Sequence, residues 1–399
     1  MSAATHAVSR AGVSGKQMGW LGIGLGALAW FIALPPLLVR TPVPSLLLGA
    51  MAVGAGIVAV RDEEKRLGYG AVAAGVVGAI GAVVATRSGV GNLKDVFVWS
   101  ALIAAMLRFG TPLTFAALGG ILSERSGVIN IGLEGMMLMG AFFGIFGADF
   151  TGSWLLGAII GMAAGAAMGL VHAVLSISLR ADQVVGGTAI NLLAWGITGY
   201  VFVAHYGTQG TPSDVPRVPE VSLPGIKEIP FVGDAIGEAS LLTWLALLLV
   251  PLLALYLFRT PGGLRLRSVG EKPRAADSVG VPVLRTRYLA VVSSGALAAL
   301  GGVYLSIALV GSFNEMMTDG RGFIALAAVI FGNWRPGGAL AGALLFGFSS
   351  AVAQRLPAFS DSLAVLFQAL PYVVTLVVVA GVIGRSRPPA AIGVPYVKE

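Results

Sequence analysis

The chain has 399 residues, of which 56% are hydrophobic and only 11% charged, where an average soluble domain carries roughly 25%. So few charges cannot clothe a water-soluble fold, and the 57 glycines sit inside apolar runs, which excludes disorder and collagen. The formal charge of +7 is expected on the cytoplasmic loops of a membrane protein and not on a nucleic-acid surface, and the absence of cysteine excludes disulfides, cysteine-ligated zinc and a thiol nucleophile.

At about 20 apolar residues per crossing, the length suits an all-α polytopic membrane protein, a helical bundle of about ten to twelve transmembrane helices, some broken or re-entrant. Apolar segments are predicted at 18–39, 43–60, 67–86, 97–122, 130–148, 153–178, 183–206, 240–258, 286–311, 321–334, 337–356 and 362–384. They are too long and too unalternating for barrel strands, and bare loops or open sheet edges cannot sit in lipid, so all are read as helices. The first follows Arg10 and Lys16 but exceeds a signal-peptide core of roughly 7–15 residues, so it is expected to be a retained helix. The charged run Arg61–Arg66 is expected to be a solvated cytoplasmic turn.

Within 153–178, Gly157, Gly161, Gly165 and Gly169 fall at four-residue steps on one face. Lipid supplies no hydrophobic drive between helices, so such small-residue ladders serve close backbone packing. Two polar loops set the orientation. Loop 207–239 carries Arg217 and Lys227 against Asp214, Glu220, Glu228, Asp234 and Glu238, a net of −3, with prolines at 212, 216, 219, 224 and 230. It is expected outside and without regular structure. Loop 259–287 carries Arg259, Arg265, Arg267, Lys272, Arg274, Arg285 and Arg287 against Glu271 and Asp277, a net of +5, and is expected in the cytoplasm. Arg10 and Lys16 at one end, and Arg385, Arg387 and Lys398 at the other, place both termini in the cytoplasm, which an even number of crossings satisfies. The segment at 321–334 is the weak crossing. Its 14 residues rise only about 21 Å at 1.5 Å each, against a hydrocarbon core about 30 Å thick. It is expected to be re-entrant or half of a broken helix.

No nucleotide-binding loop is present: Gly15 and Lys16 lack both the upstream glycine and the following Ser or Thr of a Walker A sequence. His6, His172 and His205 are scattered without metal-ligand spacing. No cofactor is expected in this chain. Two polar constellations remain. In SERSGVINIGLEG at 123–135, Asn130 and Glu134 stand four apart and are expected on one helix face. An intramembrane carboxylate costs about 2.5–3.5 kcal/mol at the bilayer centre, so Glu134 faces a cavity or partner, or else pairs with Arg125 near the surface. The glycines at 127, 132 and 135 favour an interrupted helix. The second constellation, GSFNEMMTDGRG at 311–322, leads into the short apolar segment that ends at Asn333. Either it is an ordinary external loop, or it is unwound backbone that marks a transport path. Together the two give Asn130, Glu134, Asn314, Arg321 and Asn333 as pathway candidates. An internal repeat is the reading that their similar layout invites.

The loop at 268–280, SVGEKPRAADSVG, predicts a short helix outside the lipid. It starts at Pro273, which suits a first helical position, and stops at Gly280, which suits a left-handed C-terminal residue. Its Ala275, Ala276 and Gly280 resemble the docking loop of ABC importer permeases, with Arg274 where Glu is usual. From about 97 to 396 the chain resembles the permease subunits of bacterial ABC importers in the branched-chain amino acid, ribose and nucleoside superfamily, and most of all the nucleoside type. The resemblance rests on SERSGVINIGLEG at 123–135, LRADQ at 179–183, GGLRLR at 262–267, VGEKPRAAD at 269–277, GRGFIALAAVIFG at 320–332 and GRSRPPAAIGVPY at 384–396.

The resemblance implies a permease core at 96–386, preceded by an N-terminal extension at 1–95 with about three extra helices and followed by a cytoplasmic tail at 387–399, in a bacterial cytoplasmic membrane. It implies two permease subunits, the second a related chain, two ATPase subunits that carry ATP and Mg, and an extracytoplasmic substrate-binding lipoprotein. Gly270, Glu271, Pro273, Arg274, Ala275, Ala276, Asp277 and Gly280 are then the coupling element. The expected function is ATP-driven uptake of a nucleoside or similar polar solute. A simple-sugar permease is the alternative, and an ion-coupled secondary transporter, which needs an intramembrane acidic or histidine relay, is the rival from another class.

Overall fold

The computed structural model describes residues 14–33, 41–87, 98–207, 209–355 and 387–397, with Ala369 alone between the last two stretches. The segment predicted at 362–384 therefore lies outside the described residues, apart from Ala369. The chain divides into two compact units, Met1–Val98 with Val352–Gly384, and Trp99–Ala351 with Arg385–Glu399.

In the first unit, α1 (Gly15–Phe31), α2 (Val43–Arg61) and α3 (Lys65–Arg87) pack on one another. Ser14 opens α1 with a reciprocal cap: its Oγ accepts from Gln17 N, and its own N donates to Gln17 Oε1 at 2.9 Å. Glycine and alanine line the contacts. A Cβ on Gly22 would stand 2.6 Å from Ala71 Cβ, and one on Gly56 2.6 Å from Gly68 O, so the backbones touch. Leu47, Met51, Val76 and Ile80 point outward. Residues 62–64 turn between α2 and α3, and all of 61–66 is exposed.

The second unit is built from α4 (Trp99–Arg125), α5 (Leu133–Thr151), α6 (Trp154–Ala173, prolonged by a π-helical turn Val174–Ser178), α7 (Gln183–Tyr206), α9 (Leu241–Arg259), α12 (Val283–Val303, prolonged by π-helical Tyr304–Val310), the short α13 (Arg321–Phe331) and α14 (Pro336–Ala353). Among the described residues of the whole chain, nine helices are long and apolar enough to cross a membrane. The all-α polytopic class is observed, and the helix ends of this unit fall close to those read from the apolar segments, whereas α1 stops at Phe31 where a helix to residue 39 was expected.

Glycines and alanines line the helix contacts around a core that also buries Phe115, Phe142, Met136 and Met137, while other large apolar residues such as Leu155, Ile159, Leu248 and Leu255 face outward, as a lipid solvent permits. The glycine ladder of α6 lies against two helices. A Cβ on Gly157 would be 2.5 Å from Gly144 O, and one on Gly161 2.8 Å from Gly140 O, both on α5. One on Gly165 would be 2.6 Å from Gly295 O, and one on Gly169 2.8 Å from Val291 O, both on α12.

Two corrections concern the loops. Residues 207–239 are not free of regular structure: β1 (Glu220–Ser222) pairs antiparallel with β2 (Glu238–Ser240), Glu220 opposite Ser240, and α8 (Val232–Ile236) lies between them. The prolines flank the strands at 219 and 224 and so leave the ladder intact. Residues 259–287 hold two helices, α10 (Pro261–Glu271) and α11 (Pro273–Ser278), where one was expected. Thr260 caps α10 through its side chain, which accepts from Gly263 N at 3.1 Å, and Pro261 occupies the first helical position. The end of α11 is as read, with Gly280 left-handed at φ 84°.

Candidate functional site

The two polar constellations meet. Glu134, in the first turn of α5, accepts hydrogen bonds from Gly320 N (2.8 Å) and Gly322 N (2.6 Å) at the N-terminus of α13. The pairing with Arg125 is not formed. A helix start carries unpaired N–H groups and a positive partial charge, so a carboxylate there satisfies the donors and complements the dipole. In a membrane each partner would be costly alone. Gly322 is required by this approach, since a Cβ would stand 2.5 Å from Glu134 N, and Gly320 caps the helix at φ 77°.

Backbone geometry brings the second constellation down to this point. After the π-helical end of α12, Gly311 turns the chain at φ 78°, and Met316 and Asp319 are also left-handed. Phe313 packs on Phe142 at 5.1 Å between ring centroids, eight residues along α5 from Glu134. The segment 313–320 therefore descends roughly 12 Å beside α5 without being a helix. It then starts α13, whose 11 residues rise about 16 Å and cannot cross alone. Of the segment read at 321–334, the helix occupies Arg321–Phe331 and residues 332–334 are a turn, while 311–320 is non-helical backbone lying beside α5. Arg321 Nη1 closes the bend through Met317 O and Thr318 O, both at 3.1 Å. Asn314 is exposed at the upper end of the descent.

Asn130 is not on a helix face with Glu134. It lies in the non-helical stretch between α4 and α5, fully buried, and its Nδ2 donates to Ser294 Oγ on α12 at 2.9 Å. That stretch is held by side chains that the sequence reading left unassigned. Gln183 Oε1 accepts from Ile129 N (2.8 Å), and His172 Nε2 donates to Ile129 O (2.9 Å). Asn191 accepts from Gly135 N (2.8 Å) and donates to Ile131 O (3.1 Å). Each is a polar side chain in an apolar helix, which was the signal available.

Asn333 is at the far end of α13. Arg125 Nε donates to Trp334 O (3.0 Å), Trp334 Nε1 donates to Glu124 Oε2 (2.5 Å), and Asn333 Oδ1 accepts from Arg387 N (2.9 Å). The short helix is thus fastened at both ends, to α5 by Glu134 and to the end of α4 by this turn. Beside the same turn of α4 lies α10, where a Cβ on Gly270 would collide with the Arg125 carbonyl. In α11, Ala276 is buried, while Glu271 at the end of α10, with Arg274 and Ala275, is exposed. Glu134 and Arg321 both bind the bend before α13, which Asn314 opens, while Asn130 and Asn333 make their hydrogen bonds elsewhere, to Ser294 and to Arg387 N.

Residues 102–379 match the family described as branched-chain amino acid transport system, permease component. The guanosine ABC transporter permease protein NupQ of Bacillus subtilis is 42% identical over 311 residues, 75% of this chain and 98% of that protein. The nucleoside ABC transporter permease protein NupC of Lactococcus lactis is 38% identical over 309 residues, 75% of this chain and 97% of that one. A putative glucose ABC transporter permease protein of Haloferax volcanii is 40% identical over 266 residues, 66% of this chain and 79% of its own. No solved structure matches the chain significantly. The family match over residues 102–379, relatives at 38–42% identity over three quarters of the chain, and nine candidate crossings among the described residues agree: the chain belongs to the permease-component family of ABC transport systems and is a multi-pass membrane transport subunit, not an enzyme.

Proposed function

We propose that this chain forms the pathway of an ATP-driven importer for a nucleoside or similarly small polar solute. The observation that carries the pathway assignment is the bonding of Glu134 to the N-terminus of a half-helix. A broken helix whose polar end is satisfied by a single side chain can be re-aimed without unfolding a whole crossing, which suits alternating access. Glu134, Asn314 and Arg321 stand on the path side of this arrangement, and Asn130 and Asn333 hold its two flanks. The substrate class is supported by the guanosine and nucleoside relatives.

An ABC system works with ATPase and binding-protein partners. Here the partners are a second, related permease, ATPase subunits that carry ATP and Mg, and an extracytoplasmic lipoprotein. Gly270–Gly280 is the coupling element. Closure of the ATPase pair pushes on α11, tilts the helices packed behind it and exchanges outward for inward access. Residues 1–95 extend a permease core at 96–386, and both termini face the cytoplasm. The glucose-type relative supports a simple sugar as the second reading.

The complex, reconstituted in proteoliposomes with its ATPase and binding protein, is expected to accumulate labelled guanosine only when ATP is supplied. Accumulation of glucose without guanosine would select the sugar reading, and uptake driven by an ion gradient without ATP would overturn the ATP-driven one.

A further inference from the structure

The segment 387–397 is stitched to the coupling region largely by main-chain hydrogen bonds. Ala391 N donates to Gly270 O (2.9 Å) and Gly393 N to Gly127 O (3.1 Å). Ala390 N donates to Glu271 Oε2 (3.1 Å), next to the start of α11, and Arg387 N to Asn333 Oδ1 (2.9 Å). Arg287, 1% exposed on α12, donates through Nε to Ser126 O and through Nη1 to Val394 O, both at 3.1 Å. Tyr396 is buried in one cluster with Val269 of α10, Ala276 of α11 and Val283 of α12. A stretch with this many fixed partners is part of the folded surface and not a loose tail.

Beyond Arg387 and the exposed Pro388, Ala390 and Pro395, its outward side chains are valines. Val394 is 53% and Val397 45% exposed, and Val279, just beyond α11, is 78% exposed. Lys272, Arg274 and Arg387 are exposed in the same elements, against the exposed Glu271. Valines held toward water outside the crossing helices, among cations, are the pattern of a protein contact: an apolar centre with a charged rim. The complementary partner presents an apolar cleft with acidic edges.

We infer that segment 387–397 and the α10–α11 element form one docking surface for the ATPase partner, with Val394 and Val397 adding to Val279. The inference rests on the proposed role of α11, and goes beyond it by assigning the tail. Two features identify the occupant: the surface is continuous with the coupling element through Gly270, Glu271 and Ala276, and its positive rim calls for a negative partner.

The chain has no cysteine, so single-cysteine variants report cleanly. Val279→Cys and Val394→Cys, each carrying a photoactivatable maleimide, are irradiated in the complex assembled with ATPase and binding protein. An adduct at the combined mass of permease and ATPase is expected from both positions. An adduct from 279 and none from 394 would overturn the inference and leave the coupling reading intact, whereas none from either would bring down the coupling reading and the inference with it. In the Val394→Cys background, Tyr396→Ala is expected to lower the 394 adduct several-fold without changing that from 279 in its own background. An unchanged 394 adduct would show that the packing of Tyr396 does not present this surface, contrary to the inference.

Discussion

Glu134 has both of its carboxylate oxygens engaged by backbone donors, 2.8 Å from Gly320 N and 2.6 Å from Gly322 N. Charge-assisted bonds of this kind are stronger than neutral ones, and removing the acceptor leaves two N–H groups unpaired at a cost of about 1–3 kcal/mol each where water cannot replace it. Glu134→Ala is therefore expected to abolish most ATP-dependent uptake and to lower the melting temperature of the purified chain. Glu134→Gln, which keeps one acceptor and loses the charge, should fall between it and the parent. Equal uptake by all three proteins would show that the helix cap has no part in transport. The sequence marks Glu134 as exceptional, because a carboxylate in an apolar helix needs a partner. It does not reveal the partner, since a backbone N–H has no residue identity and lies 186 positions away along the chain. Asn130 was read as a pathway candidate on a helix face with Glu134 and not as a loop fastener: its spacing from Glu134 suits a helix, and only the break at 126–132 shows that the helix is not there.

Among the elements, the ladder on α6 and the half-helix α13 show different degrees of legibility. Small residues four apart announce a close approach, but which helices approach was decided by the bundle: α5 at Gly157, both α5 and α12 at Gly161, and α12 at Gly165 and Gly169. Gly165→Leu is expected to prevent recovery of stable folded chain from detergent, because the new side chain would enter the α12 backbone, where even a Cβ stands 2.6 Å from Gly295 O. Gly196→Ala on α7, with nothing within 4 Å of the added carbon, should leave the melting temperature of the isolated chain unchanged or slightly raised. Similar melting temperatures for the two variants would refute the packing account. For α13, length marked the segment at 321–334 as too short to cross, and the helix proves shorter still, 11 residues that rise about 16 Å. The helix α10 was missed although Thr260 and Pro261 form a start signal; two glycines in its first turn hid the periodicity. The strands β1 and β2 were missed because prolines at their ends were read as breaking structure when they only bound it.

For the whole molecule, the charge asymmetry of the two polar loops is the basis of the proposed sidedness. Ser213→Cys in the 207–239 loop is expected to react with a membrane-impermeant maleimide on intact cells, and Val279→Cys only after the cells are opened; the reverse order would invert the topology and remove α11 from its partner. Membrane crossings, helix class and the position of α11 follow from the sequence by itself, because hydropathy, glycine and proline act over a few neighbouring residues and a lipid solvent leaves the backbone few alternatives. Tertiary structure alone decided that the constellations at 123–135 and 311–322 are one site, that α13 is tied at both ends, and that the segment at 387–397 belongs to the surface of α10 and α11. Those contacts join groups far apart in the chain, many of them main-chain N–H and C=O, and hydrogen-bonding groups that every residue carries acquire a partner only when the fold brings them within about 3 Å.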